Sequence, residues 1–306
     1  MTASTQGGYA PKPPFGRLLT AMVTPMTADG AVDYGEAAQL AKYLVTEMRN
    51  DGLVVSGTTG EAPTTSNAEK AQLIRVVKEA VGDRASVVAG VGTNDTAHSI
   101  ELAQEAAQAG ADGLLAVTPY YSKPPQSGLI AHFTALADAT ELPMLLYDIP
   151  GRSAIPIKTE TLIQLAEHPR IVGVKDAKAD LGAGTTVMLA TDLFFYSGDD
   201  ISTLPWLSVG AGGLISVVAH VVGDRLHELI DAYLAGEVAT ALRHHRELMP
   251  VFTGLMTRTQ GVIATKAVLP MVGLPKWSVR LPLVDATPAE TEQFRADLVA
   301  GGVKLK

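Results

Sequence analysis

The run Ile171-Val172-Gly173-Val174 reads as a buried strand, and a lysine, Lys175, closes it. An ammonium group taken out of water without a partner is very costly. Two explanations compete for it. Lys175 is either a strand-end lysine that snorkels into solvent or pairs with Asp176, or an amine kept poorly solvated for chemistry. An amine in a dry pocket gives up its proton more readily and attacks a carbonyl carbon, the first step of imine formation.

Other strand ends carry groups that suit such a reaction. Tyr147 follows the apolar run Met144-Leu145-Leu146, and its phenol is a proton shuttle for making and breaking a carbinolamine. The alternative for Tyr147 is an amphipathic core tyrosine. The turn Gly57-Thr58-Thr59-Gly60-Glu61 offers backbone N–H groups and two hydroxyls, which suit a small carboxylate. Arg152, behind Pro150-Gly151, is a fork-shaped cation fit for a second carboxylate, or else a surface arginine. Asp199-Asp200 is a candidate cation site or a capping pair. Of seven histidines only His244 and His245 are adjacent, on a helical pattern that turns them different ways. With no HExxH spacing and no cysteine, we expect no metal and no other cofactor.

Chemistry spread over so many strand ends needs a scaffold that gathers them. Short apolar or β-branched runs bounded by Gly, Pro and Asp occur at 17–25, 52–57, 86–92, 113–119, 143–150, 171–177, 194–200 and 212–218. Helical patterns lie between most of them, among them Asn67–Val81 and Ala97–Ala109, and Asp33 with Glu36 has the form of a capping box. Eight continuous apolar strands alternating with helices imply parallel strands covered on both faces, and hence a (β/α)8 TIM barrel. A doubly wound open sheet would announce a Gly-rich phosphate loop after strand one, where VTPM stands instead. Residues 17–223 form the expected barrel, and 224–306 a C-terminal helical extension, with helices over Asp224–Ala235, Glu237–Met256 and Thr287–Ala300. Residues 1–16, polar and rich in Pro and Gly, are expected to be a flexible tail and neither a secretion signal nor an anchor.

Alternation along the sixth strand puts Ile171, Gly173 and Lys175 on one face and Val172 and Val174 on the other. Packing the valines on helices turns Lys175 into the barrel, with Gly173 leaving room beneath the amine. By the same count Leu145 and Tyr147 point inward, next to Lys175.

Composition sets outer limits. Of 306 residues 47% are hydrophobic and 18% charged, as in a soluble protein with a large core. A net charge of −8 argues against a nucleic-acid partner, and no apolar stretch is long enough to span a membrane. A cysteine-free chain fits the cytoplasm, where we expect it.

Five motifs in this order, GTTGE, VTPYYSKPPQSG, LLYDIPGRS, GVKDA and SGDD with GAGGLISV, resemble the dihydrodipicolinate synthase family over about residues 15–300. The resemblance implies a Schiff-base lyase of lysine and diaminopimelate biosynthesis that condenses pyruvate with L-aspartate 4-semialdehyde. By position Lys175 matches the Schiff-base lysine, Tyr147 and Thr58 two members of a proton relay, and Thr59 a pyruvate-carboxylate ligand. Tyr121 matches a tyrosine that completes the relay from a neighbouring subunit, Arg152 the residue receiving the semialdehyde carboxylate, and Ile215 a position lining the pyruvate site. The resemblance also implies a homotetramer built as a dimer of dimers.

One departure stands out. Members inhibited by lysine carry histidines and a glutamate around an allosteric cleft, where this chain has Asn67, Lys70 and His98, with Asn94 and Tyr120 retained. Lys70 would repel a lysine effector, so weak or absent feedback inhibition is expected. Two other functions stay open at this point. The same barrel and lysine serve N-acetylneuraminate lyase and 2-keto-3-deoxy-sugar aldolases, and a silent keto-acid sensor would keep the fold without the reaction.

Overall fold

The computed structural model describes residues 12–306; most of the expected tail, 1–11, lies outside the described residues. Phe15, near the end of the tail expected over 1–16, is buried with the residues that fill the barrel.

Eight strands form the barrel: β1 (Leu18–Ala21), β2 (Gly52–Val55), β3 (Ser86–Gly90), β4 (Gly113–Val117), β5 (Met144–Asp148), β6 (Ile171–Asp176), β7 (Phe194–Ser197) and β8 (Gly213–Ser216). All pair in parallel in sequence order, and β1 closes on β8 with Leu19 beside Ile215. Each strand is shorter than the apolar run that announced it, because the run continues into the loop that follows. At β1 the reason is visible. The Met22 amide still bonds to Val54 O, but the Val23 amide donates to His220 Nε2, a side chain rather than a strand.

Two cores result. Leu19, Val54, Val88, Leu115, Leu145 and Ile215 fill the barrel interior, while the outward strand faces pack on the helices. The β6 alternation differs from the count made on the sequence. Met144 pairs with Ile171, but Leu145 pairs with Gly173, so one extra residue is inserted in β6. Such a bulge reverses the side-chain count at that point. Ile171 therefore joins the outer core and Val172 packs against the inner one. Above the bulge the expected alternation holds, with Val174 outward and Lys175 level with Tyr147.

Helix starts follow local chemistry. Asp33 accepts from the Glu36 amide at the head of Tyr34–Thr46, without the return bond of a capping box. Complete boxes form at Ser66/Glu69, before Asn67–Val81, and at Thr287/Glu290, before Pro288–Ala300. The helix after β8 spans Ala219–Leu234 and packs on β1, so the boundary expected at 223/224 falls inside the barrel's eighth helix. Val238–Met256 and Gly261–Val268 follow it, and an irregular segment over 274–287, in which Arg280 returns to the loop after β2, leads to Pro288–Ala300. Among the described residues, no helix is long and apolar enough to cross a membrane.

Candidate active site

Lys175 is the last residue but one of β6, at the C-terminal mouth of the barrel, and is 5% exposed. Its Nζ lies 4.2 Å from the centroid of the Tyr147 ring, carried by β5 in direct register. The amine thus faces an aromatic surface rather than a carboxylate. Asp176, the alternative partner for Lys175, alternates to the other face of β6. Its Oδ1 accepts from the amides of Lys178 and Ala179. The same lysine, Lys178, places Nζ 3.0 Å from Asp148 Oδ2 and 3.9 Å from Asp176 Oδ2. It therefore ties β5 to β6 behind the two strand ends that present Tyr147 and Lys175. Burial raises the pKa of Asp148 and pushes that of Asp176 up to about 6.

The space under Lys175 is not where the sequence placed it. A Cβ on Gly173 would sit 2.4 Å from the Phe194 carbonyl oxygen, so this glycine lets β7 approach β6. Gly198, in the loop after β7, makes room for the lysine itself; a Cβ there would lie 3.0 Å from Lys175 Cγ. The aspartates that follow are tied into the fold. Asp200 is buried and accepts from Ser216 Oγ (2.5 Å) and the Val217 amide (3.2 Å), which joins the ends of β7 and β8. Burial pushes its pKa up to about 6. Asp199 accepts from Ser202 Oγ.

A cavity of about 360 Å³ opens at this mouth, lined by Thr58, Tyr147 and Arg152 among others. Thr59 is buried beside it, and Ile215 lies wholly inside the barrel. Arg152 is exposed on the helical turn Pro150–Ser153. Tyr121 is the outlier. It is 89% exposed and adopts φ +72°, while its neighbour Tyr120 lines the cavity. One chain therefore brings Tyr147, Thr58 and Arg152 to one opening, sets Lys175 against the Tyr147 ring and leaves Tyr121 facing solvent.

The cavity extends to the residues that replace an effector pocket in the resemblance. Lys70 is buried and donates to the Thr65 carbonyl, and burial lowers its pKa. His98 Nε2 and Asn67 Oδ1 are 2.9 Å apart.

Sequence reading passed over Lys178 and Asp148. The signal was present in KDAK, a second lysine three residues beyond the first, but only the strand pairing shows which carboxylates it bridges.

Comparison with known proteins shows the family of the chain. The profile of the Dihydrodipicolinate synthetase family matches residues 14–300. The 4-hydroxy-tetrahydrodipicolinate synthase 2 of Streptomyces coelicolor is 62% identical over 295 residues, covering 96% of this chain and 98% of that protein. The 4-hydroxy-tetrahydrodipicolinate synthase of Acidothermus cellulolyticus is 61% identical, covering 94% and 93%. Among solved structures, the lysine-bound enzyme of Cyanidioschyzon merolae superposes with a TM-score of 0.92 at 43% identity, over 96% of this chain and 100% of that one.

Proposed function

We propose how this barrel mouth works from the premise that the chain belongs to the dihydrodipicolinate synthetase family. It is a Schiff-base lyase that condenses pyruvate with L-aspartate 4-semialdehyde, in lysine and diaminopimelate biosynthesis. The observation that carries the mechanism is a nearly buried lysine whose amine lies against the Tyr147 ring at the C-terminal mouth of a closed barrel.

In this reading Lys175 Nζ attacks C2 of pyruvate, and the ketone oxygen takes up a proton to give a carbinolamine. Loss of water leaves the imine. Tyr147 supplies and recovers these protons, passing them through Thr58 to the partner subunit's Tyr121. Removal of a C3 proton yields the enamine, whose carbon attacks the aldehyde carbon of the semialdehyde; the aldehyde oxygen takes a proton as the C–C bond forms. Thr59 and the amides of its turn hold the pyruvate carboxylate, Ile215 lines the pyruvate site, and Arg152 receives the semialdehyde carboxylate as a bidentate cation. Only the unprotonated amine of Lys175 carries the lone pair that attacks the carbonyl carbon.

The exposure of Tyr121 supports the oligomeric part of the reading. A large aromatic group left 89% in solvent gains most by burial against a second copy. We place the working form as a dimer of dimers in the cytoplasm.

The test is pyruvate consumption with L-aspartate 4-semialdehyde, run on wild type and on Lys175→Ala, alongside borohydride reduction with pyruvate read by intact mass. Wild type consumes both substrates and gains the mass of the reduced imine, and Lys175→Ala does neither. A mass gain without consumption of the semialdehyde would move the enzyme to a sugar-acid lyase. No mass gain at all would make the protein a keto-acid binder.

A further inference from the structure

We propose that Lys266 and Arg280, both from the C-terminal extension, are positioning residues that act on the active site through the carboxylate of Glu61. The inference rests on the reading of Thr58 and Thr59 as residues that meet the keto-acid substrate.

The turn that carries these threonines is conformationally demanding. Ser56 and Glu61 bracket it with φ of +55° and +57°, a region side chains with a Cβ rarely adopt. A backbone of this kind persists only when its surroundings over-determine it. The turn's own bonds, Glu61 N to Thr58 O and Ala62 N to Gly57 O, are both 3.2 Å long. Thr24 Oγ1, in the loop after β1, adds a bond of 2.7 Å to the Gly60 carbonyl.

The stronger hold comes from far along the chain. Glu61 is 2% exposed, yet its carboxylate is fully engaged. Lys266 Nζ lies 2.5 Å from Oε1, and the Arg280 amide donates to Oε2 at 2.8 Å. Lys266 also donates to the Ser278 carbonyl at 2.7 Å. The Arg280 guanidinium reaches Gly30 O (2.7 Å) and Thr64 O (2.6 Å) and forks onto Glu69, which caps the helix following the turn. Two cations and two carboxylates thus close a neutral cluster between the returning segment and the loop after β2. Burial lowers the pKa of Lys266, so the ammonium is retained there by Glu61. Without its partner, either charge would be stranded in the interior.

The cluster grips the last residue of the turn rather than a remote part of the fold. Its placement implies a specific function: Glu61 ends the turn, so whatever fixes its carboxylate fixes the N–H groups and hydroxyls two and three residues before it. A small displacement of a substrate-positioning group has a large kinetic effect.

The test uses steady-state kinetics and thermal melting of the full-length enzyme in three variants. Lys266→Met removes the anchor and strands Glu61, lowering the melting temperature. Glu61→Gln/Lys266→Met removes both charges, which restores much of that loss and provides a folded protein if the single variant does not give one. In both, KM for pyruvate is expected to rise about tenfold or more, while KM for the semialdehyde stays within about twofold. An unchanged pyruvate KM, or a KM that recovers with the melting temperature in the double variant, overturns the proposal and leaves a merely structural ion pair. Thr59→Val separates the two layers of inference. If it also leaves pyruvate KM unmoved, the carboxylate reading of the turn has failed, and the positioning proposal with it. If Thr59→Val raises that KM and the Lys266 variants do not, the positioning proposal alone has failed.

Discussion

Replacing Gly173 with alanine adds one methyl group to the barrel interior two residues below Lys175. That methyl would meet the Phe194 carbonyl oxygen at 2.4 Å and Leu145 Cδ2 at 3.0 Å. Leu145 can rotate, but Phe194 O belongs to the backbone of β7, which pairs with Gly173 directly. Overpacking a core costs about 1–3 kcal/mol, and a backbone neighbour that cannot swing aside puts this site in the upper half of that range. The stiffer unfolded chain of the alanine variant returns about 0.4–1 kcal/mol. The net is a loss of about 2 kcal/mol, which for a chain of this length lowers the melting temperature by about 3 °C. Parting β6 from β7 also moves Lys175, so the yield of borohydride-trapped pyruvate imine should fall with it. Gly151→Ala is the internal control, since a Cβ there meets nothing within 4 Å; the same entropy term makes it neutral or slightly stabilising. Circular dichroism melts of the three proteins check the stability, and intact-mass readings the imine. If Gly173→Ala melts with wild type and traps as much imine, the close approach of the strands is not what requires glycine.

Three further outcomes follow from the site and its supports. Mixing Tyr121→Phe with Lys175→Ala, each nearly inactive alone, should regain activity after the subunits are exchanged, because a mixed dimer holds one site with both native residues; no recovery would place Tyr121 within its own chain's site or outside the reaction. L-lysine at submillimolar concentration should leave the initial rate unchanged, because Lys70 occupies the cleft as a buried cation hydrogen-bonded to Thr65, and half-inhibition in that range would refute this. The third concerns pH. A hydrogen bond that the protonated ring donates to Asp51, aided by the charge of Asp231, raises the pKa of His227 above its ordinary 6.5, so the ion pairs stabilise the fold fully below about pH 6.5 and lose that contribution as pH rises through the raised folded value. His227→Gln should therefore cost about 0.5–1 kcal/mol more at about pH 6 than at about pH 9, read by urea unfolding; an equal cost at both would exclude the charged pair.

Much of this architecture is written locally. Eight apolar runs, the capping box at Thr287 and the helix over Asn67–Val81 depend on neighbours within a few residues, and a parallel β/α alternation leaves few ways to bury such strands. The inward turn of Lys175 and its position beside Tyr147 were legible because the period of two holds over Gly173, Val174 and Lys175, the part of β6 beyond the bulge. The bulge at Val172 was not legible, because the register of β6 is set by what β5 and β7 present to it. Nor was the occupant of the space at Gly173, which is the backbone of another strand.

The remaining features depend on residues brought together over long separations. Lys178 finds Asp148 thirty residues earlier, and Lys266 and Arg280 find Glu61 across more than two hundred. Sequence by itself determined the element types, their order and the reactive groups at the strand ends, because those depend on local periodicity and on the cost of burying a charge. Only the tertiary structure decided which charge neutralises which, because a buried ion pair is selected by the closed packing around it and leaves no periodic trace along the chain.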